Sequence, residues 1–281
     1  MNEIFFLIIL ASLWLVFATI QDLRKREIAN WLSFSLIIFA VGFRFLYSLF
    51  SGNFSFFYHG LIGLAIFFIL ANILYYGRFF AGGDFKLMIA LGAILPFSDN
   101  FSNNLEIFLI FLAFFFITGA IYTIGASLYL GLANFKKFKK AFSQQFKKAK
   151  NFIFLCFFFS TILIVFGFSD IAFFALAGFF LFLPILYIYV KSVDESCLVK
   201  LVDAKSLTEG DWLYKDVYIG KQIIKASWDG LSKKDIEKLK HSKKKIMIRH
   251  GIPFTPVFLI SFFLVIYFWF SGFETLWNSF W

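Results

Sequence analysis

Apolar residues in this chain occur in long runs separated by short polar segments. Several runs reach about 17 residues or more with few or no charges, which is the length a helix needs to cross a bilayer. Eight membrane spans are predicted, at about 4–21, 31–50, 57–76, 85–97, 104–133, 151–168, 170–190 and 252–272. The fourth is short for a full crossing, so we expect it to be tilted or sheltered by its neighbours.

Composition supports this interpretation, because 60% of the 281 residues are hydrophobic and 23% are aromatic. The first run begins at Ile4 without a preceding basic region and ends in polar "QDLRKRE", so it is predicted to be a retained helix rather than a cleaved signal. Residues 151–190 admit two interpretations. They form either a hairpin turning at "GFSD" or one span with a cytoplasmic extension.

The basic residues indicate the orientation. Apart from Arg44, all Lys and Arg residues lie in four segments: 22–30, 77–86, 134–150 and 191–250. The connections at 51–56, 98–103 and 273–281 carry none. Alternating eight spans puts the four basic segments on one side, which the positive-inside rule makes cytoplasmic, with both termini outside. This placement accounts for the net charge of +10 without a nucleic-acid partner and predicts contact with the anionic cytoplasmic leaflet of the cell membrane.

The polar segment 191–250 is predicted to hold a few small strands and a short helix that Ser232 caps. The segment 134–150 is either a basic amphipathic surface helix or a solvated loop. The predicted fold is therefore an all-α polytopic membrane protein of about eight transmembrane helices, with a small cytoplasmic α+β domain inserted before the last helix. We divide the chain into a membrane core (1–190), a cytoplasmic basic domain (191–250) and a final helix with an outside tail (251–281).

Two aspartates lie at the cytoplasmic ends of predicted spans, Asp22 after the first and Asp84 at the start of the fourth. An acid deep in a span costs roughly 2.5–3.5 kcal/mol, so its presence calls for a reason. Glu106 and Asp170 lie near predicted outer ends, where water is available. The chain between Asp22 and Asp84 crosses the membrane and returns, so the two acids can meet. A close pair of carboxyl groups shares a proton, and one member activates water while the other polarises a carbonyl.

Four nearby residues are candidates for binding substrate or supporting the site. Gly82 and Gly83 remove side-chain bulk before Asp84, although "GGD" taken alone favours a tight turn with the acid capping the helix. Lys86 either acts on the acid or the substrate, or extends to the interface as a snorkelling base. Asn30 either hydrogen-bonds near the first acid or caps the second span. We predict no cofactor and no metal, because the two cysteines form no CxxC pair.

The two acidic motifs together resemble a known family. "QDLRKREIANWLS", followed by "AGGDFKLMIALGAILP", is similar to the type IV prepilin peptidases, membrane aspartic peptidases of the GxGD class. "LTEGDWLYKDVYIGKQII", "GLSKKDIEKLK" and "GIPFTPVFLISFFL" resemble the C-terminal part of the archaeal prepilin and preflagellin peptidases. The chain departs from the family pattern at Ala81, where a glycine is expected, and at Ala29, where proline often occurs. It also lacks the four-cysteine insert of many bacterial relatives.

The resemblance implies an aspartic-type endopeptidase of the membrane, with Asp22 and Asp84 catalytic. Its substrates would be pilin or archaellin precursors with a short basic leader and a hydrophobic helix, cut at the cytoplasmic boundary. Two alternatives stay open: an intramembrane protease of the presenilin or signal-peptide-peptidase kind, and a transporter whose acids carry protons or cations. The sequence leaves the oligomeric state undetermined.

Overall fold

The computed structural model describes residues 2–168, 170–219, 222–228, 230–241 and 245–271, and most of these are helical. The helices are α1 (Asn2–Lys25), α2 (Asn30–Ser51), α3 (Ser55–Tyr76), α4 (Gly82–Ile94), α5 (Phe101–Ala133), α6 (Phe135–Lys148), α7 (Lys150–Gly167), α8 (Ile171–Val193), α9 (Lys233–His241) and α10 (Thr255–Ser271). The strands are β1 (Val199–Asp203), β2 (Trp212–Leu213), β3 (Val217–Ile219), β4 (Gln222–Ile224) and β5 (Lys245–Arg249).

Eight of the helices coincide with the eight predicted spans. Within the described ranges, six are long and apolar enough to cross a membrane: α1, α2, α3, α5, α7 and α8. Helices α4 and α10 are shorter, at 13 and 17 residues. Many large apolar side chains on these helices face outward, as expected of surfaces that lipid covers. The predicted fold class is confirmed, and the protein is a multi-pass membrane protein.

The chain forms two compact units. The first unit comprises Met1–Thr123 and Pro253–Trp281, and the second comprises Ile124–Ile252. Helix α5 begins in the first unit and ends in the second. These limits differ from the boundaries after 190 and 250 drawn from the sequence, which stay a prediction.

Helix α4 is the buried element of the first unit. Every residue from Leu87 to Ile94 is buried, and the helix contacts α1, α2 and α3. Its backbone meets that of α3 at two glycines: a Cβ added to Gly63 would lie 2.3 Å from the Gly92 carbonyl oxygen, and one added to Gly92 would lie 2.6 Å from that of Gly63. The short fourth helix is therefore sheltered by its neighbours, as its length predicted.

Arg44, the basic residue outside the four basic segments, binds the C-terminal end of α4. Its side chain is fully buried. Nε donates to the carbonyl of Ala93 (2.8 Å), and the terminal nitrogens donate to Phe56 (2.8 Å), Ile94 (3.1 Å) and Pro96 (2.6 Å). The last carbonyls of a helix lack partners within the helix, so this guanidinium supplies the donors that α4 needs there.

The second unit contains a helical hairpin. Helix α7 ends at Gly167 and α8 begins at Ile171. The two helices run antiparallel, because Ser160 donates to the Ala177 carbonyl (3.1 Å) and the ring of Phe152 meets that of Tyr187. Residues 150–193 therefore form a helical hairpin, and both helices are long and apolar enough to cross a membrane; that both do so stays a prediction.

The polar part of the second unit holds the predicted strands and helix. Strand β5 lies between β1 and β2 in an antiparallel sheet, with Leu201 opposite Met247, and β3 pairs with β4. Helix α9 has the predicted cap: the Ser232 hydroxyl accepts from the Asp235 backbone at 3.2 Å. The segment 134–150 is helical as α6, whose Phe138 packs on Tyr189 of α8.

Candidate active site

Asp22 lies in the last turn of α1, and its side chain is buried. The helix ends at Lys25, and the next residue, Arg26, adopts a left-handed conformation (φ 57°) and donates its backbone N–H to the Asp22 carbonyl at 2.7 Å. The following turn is held by Gln21, whose Oε1 accepts from the Ala29 backbone at 3.2 Å. The end of α1 and the start of α2 are thus fixed on either side of the acid.

The Asp22 carboxylate is bound by the first residue of α10. Its Oδ2 accepts from the Thr255 backbone N–H at 3.0 Å and from the Thr255 hydroxyl at 2.7 Å, across 233 positions of sequence. Thr255 is fully buried. The N-terminus of a helix carries unpaired N–H groups and partial positive charge, so a carboxylate is stabilised there. Thr255 was not among the residues predicted from the sequence, although a threonine at a predicted helix start is a recognisable signal for a capping residue.

Asp84 lies in the first turn of α4 and is half-buried. Its Oδ2 accepts from the Ala81 backbone N–H at 3.4 Å, a long contact, so the acid caps its own helix only weakly. The start of α4 lies beside the turn that follows Asp22, because Lys86 binds Asn30 at 2.5 Å and a Cβ added to Gly83 would lie 3.2 Å from the Ile28 side chain. The structure therefore brings together the two acids that the sequence analysis paired.

The residues before Asp84 have ordinary backbone angles. Ala81 is extended (φ −80°, ψ 167°), a conformation open to any residue, so the turn does not require the glycine expected there. A Cβ added to Gly83 would lie 3.2 Å from the Ile28 side chain, whereas one added to Gly82 would meet open space. Ala29 has φ −62°, the angle that proline fixes, so alanine adopts the same turn.

Asn30 and Lys86 bind each other. The Lys86 ammonium donates to Oδ1 of Asn30 at 2.5 Å. This bond joins the first residue of α2 to the fifth residue of α4. The ammonium also lies 5.9 Å from the Phe34 ring centre. The pair thus links the helix that follows Asp22 to the helix that carries Asp84.

The site contains two carboxyl groups, which are the groups that general acid–base hydrolysis requires. One is oriented by two hydrogen bonds, and the other has a single long contact. Across the described part of the chain, no three His, Cys, Asp or Glu side chains come together as a metal site would need.

The two acids thus lie at the end of the first helix and at the start of a short buried helix of a multi-pass membrane protein. Residues 9–124, which include both acids, match the family model described as the Type IV leader peptidase family. The family resemblance predicted from the two motifs is confirmed by this match.

One relative is the preflagellin peptidase of Methanococcus maripaludis strain C6, 34% identical over 88 residues. The alignment covers 31% of this chain and 38% of that peptidase. No solved structure matches the chain significantly.

Proposed function

We propose that this protein is an integral membrane aspartic endopeptidase that removes the leader peptide from preflagellin-like or prepilin-like precursors. Asp22 and Asp84 form the catalytic pair. The observation that carries this proposal is the geometry that brings the end of α1 to the start of α4: Lys86 binds Asn30 at 2.5 Å, and a Cβ added to Gly83 would lie 3.2 Å from the Ile28 side chain. The family match over residues 9–124 and the named activity of the preflagellin peptidase support the choice of reaction.

The proposed chemistry needs only water and the two carboxyl groups. The ionised carboxylate takes a proton from water while the water oxygen bonds to the scissile carbonyl carbon. The protonated carboxyl donates a hydrogen bond to the carbonyl oxygen, which gains the electron pair of the C=O π bond. When the C–N bond breaks, the carbonyl reforms and the leaving nitrogen receives a proton. That proton comes from the carboxyl group that took it from water, so the pair again holds a single proton, and the product carboxylic acid leaves and ionises in water.

The proposed site faces the cytoplasm, with both chain termini outside. The positive-inside rule supports this orientation, because Arg24 and Lys25 follow Asp22, and Arg78 and Lys86 flank Asp84. A precursor with a hydrophobic helix would insert that helix in the bilayer, leaving the leader junction at the same boundary. The lysines of α6 would lie on the anionic lipid of that leaflet.

The test is cleavage of a preflagellin-like precursor by Asp22→Asn and Asp84→Asn variants. The precursor is co-expressed with each variant, and mass spectrometry locates the new N-terminus. Both variants should yield uncut precursor while remaining folded in detergent. Glu106→Gln is the matched control, because it converts an exposed acid on α5 to its amide outside the site.

Three results would contradict the proposal. Full cleavage by Asp22→Asn would remove the mechanism. A cut within the apolar segment of the precursor, rather than just before it, would favour an intramembrane protease of the presenilin kind. Proton or cation flux in liposomes without any cleavage would favour the transporter.

A further inference from the structure

The Thr255 hydroxyl donates to Oδ2 of Asp22, and this hydrogen bond has no role in the reaction described above. We infer that Thr255 is a positioning residue of the catalytic pair: it occupies Oδ2 of Asp22 and so leaves Oδ1 as the oxygen that takes the proton from water. This inference rests on the proposed function, and it adds which carboxylate oxygen reacts and which residue selects it.

The two hydrogen bonds from Thr255 occupy both lone-pair sites of Oδ2 of Asp22. A carboxylate oxygen offers about two lone-pair sites, and Oδ2 of Asp22 receives two donors at 2.7 and 3.0 Å. Both distances are within the normal range for hydrogen bonds. Oδ2 therefore has no site left for water or for the shared proton, so the proton chemistry of Asp22 is confined to Oδ1.

The hydroxyl bond is separable from the capping of α10. Pro256 has no backbone N–H, and the N–H of Val257 donates to the Phe254 carbonyl at 3.0 Å. In this first turn, Asp22 accepts a hydrogen bond from the Thr255 backbone N–H. That N–H remains when the Thr255 side chain is replaced. The Thr255 hydroxyl thus adds nothing that the helix start requires, and its role is to orient the carboxylate.

Burial makes the hydroxyl difficult to replace. Thr255 is fully buried and Asp22 nearly so, so bulk water does not reach Oδ2 freely when the hydroxyl is removed. Without it, the carboxylate keeps one donor and gains freedom to rotate about its Cβ–Cγ bond. A catalytic group displaced from its productive geometry loses rate rather than substrate affinity.

The experiment compares three variants of the full chain, purified in detergent, on one preflagellin-like precursor. Thr255→Val keeps the shape and the backbone N–H but removes the hydroxyl, and should lower kcat by about 10- to 100-fold with KM within about twofold. Thr255→Ser keeps the hydroxyl and should retain most of the wild-type kcat. Ser261→Ala is the control, because it removes another buried hydroxyl of α10, one without a hydrogen-bond partner among the described residues, and should leave kcat unchanged.

The outcomes separate this inference from the proposed function. If Asp22→Asn is inactive and Thr255→Val turns over at the wild-type rate, the positioning role is overturned and the peptidase proposal stands. Equal losses in Thr255→Val, Thr255→Ser and Ser261→Ala, with lowered melting temperatures, would assign Thr255 to packing and also overturn it. If Asp22→Asn cleaves normally, the proposed function fails, whatever Thr255 does.

Discussion

Arg44 and Asp84 mark opposite ends of the same buried helix, α4, and their surroundings differ. Arg44 donates to four carbonyls and lies 4.2 Å from the centre of the Phe56 ring. Asp84 has one contact at 3.4 Å, and its end of α4 lies beside the turn that follows Asp22. A charge that holds a fold together has its hydrogen-bonding groups occupied, whereas a charge that reacts must keep some of them available.

The same contrast applies to the residues around each charge. Near Arg44, a Cβ on Gly60 would lie 2.4 Å from the arginine Cδ, so the side chain fills its space completely. Beside Asp84, Gly82 faces open space. One end of α4 is closely packed, and the other is open beside Gly82.

The largest expected effect is on activity at the Asp84 end. Asp84→Asn should reduce cleavage at least about a thousandfold, because the amide can neither hold nor release the shared proton. Its melting temperature in detergent should stay near the wild-type value, since the contact it weakens is a single long one. A large fall in melting temperature with residual cleavage would mean that Asp84 is a structural cap.

Arg44→Met should produce the opposite pattern. The free energy of unfolding should fall by about 3 kcal/mol or more, because four buried carbonyls lose their donor. Denaturation in detergent measures this change, and the cleavage rate per folded molecule should change much less than in Asp84→Asn. Arg44→Lys is the comparison variant and should lie in between, since one ammonium cannot reach all four carbonyls. Wild-type stability in Arg44→Met would break the contrast between the two ends.

The glycine contact behind α4 should give a smaller effect. Gly63→Ala should cost about 1–3 kcal/mol of unfolding free energy, because the added methyl group meets the Gly92 backbone and the helices must separate. Gly42→Ala on α2 is the matched control, as its Cβ would meet nothing within 4 Å. Equal stability of the two variants would show that α3 and α4 adjust without cost.

The smallest expected effect concerns the open side of the site. Gly82→Ala should leave the melting temperature unchanged or slightly raised, because alanine has the better helix propensity and space is free. If substrate approaches at this glycine, KM should rise a few-fold with kcat nearly constant. Steady-state kinetics with the precursor measure both constants, and an unchanged KM would place the substrate elsewhere.

Much of the fold follows from patterns that act locally. The eight apolar runs, the turn between α7 and α8 and the Ser232 cap each depend on neighbouring residues, so the sequence predicts them. The pairing of Asp22 with Asp84 follows from charge placement, because the same side of the membrane must hold both. Their catalytic role stays a prediction.

The contacts that could not be predicted join residues that are distant in the sequence, or they join a side chain to backbone carbonyls. Arg44 binds carbonyls, which every residue has, so no sequence signal indicates the contact. Thr255 resembles a helix cap in its own segment, and its partner lies 233 residues earlier. Asn30 and Lys86 were assigned separate roles, and the bond between them, 56 residues apart, depends on how α2 packs on α4.

The bond from Thr255 to Asp22 has a consequence for biosynthesis. A ribosome completes both acids early, but it makes the threonine that donates to Asp22 only with the last of the described helices. An unfinished chain in the membrane would therefore carry an untethered carboxylate and hydrolyse poorly. The two hydrogen bonds that hold Asp22 would form only once α10 has been inserted beside α1.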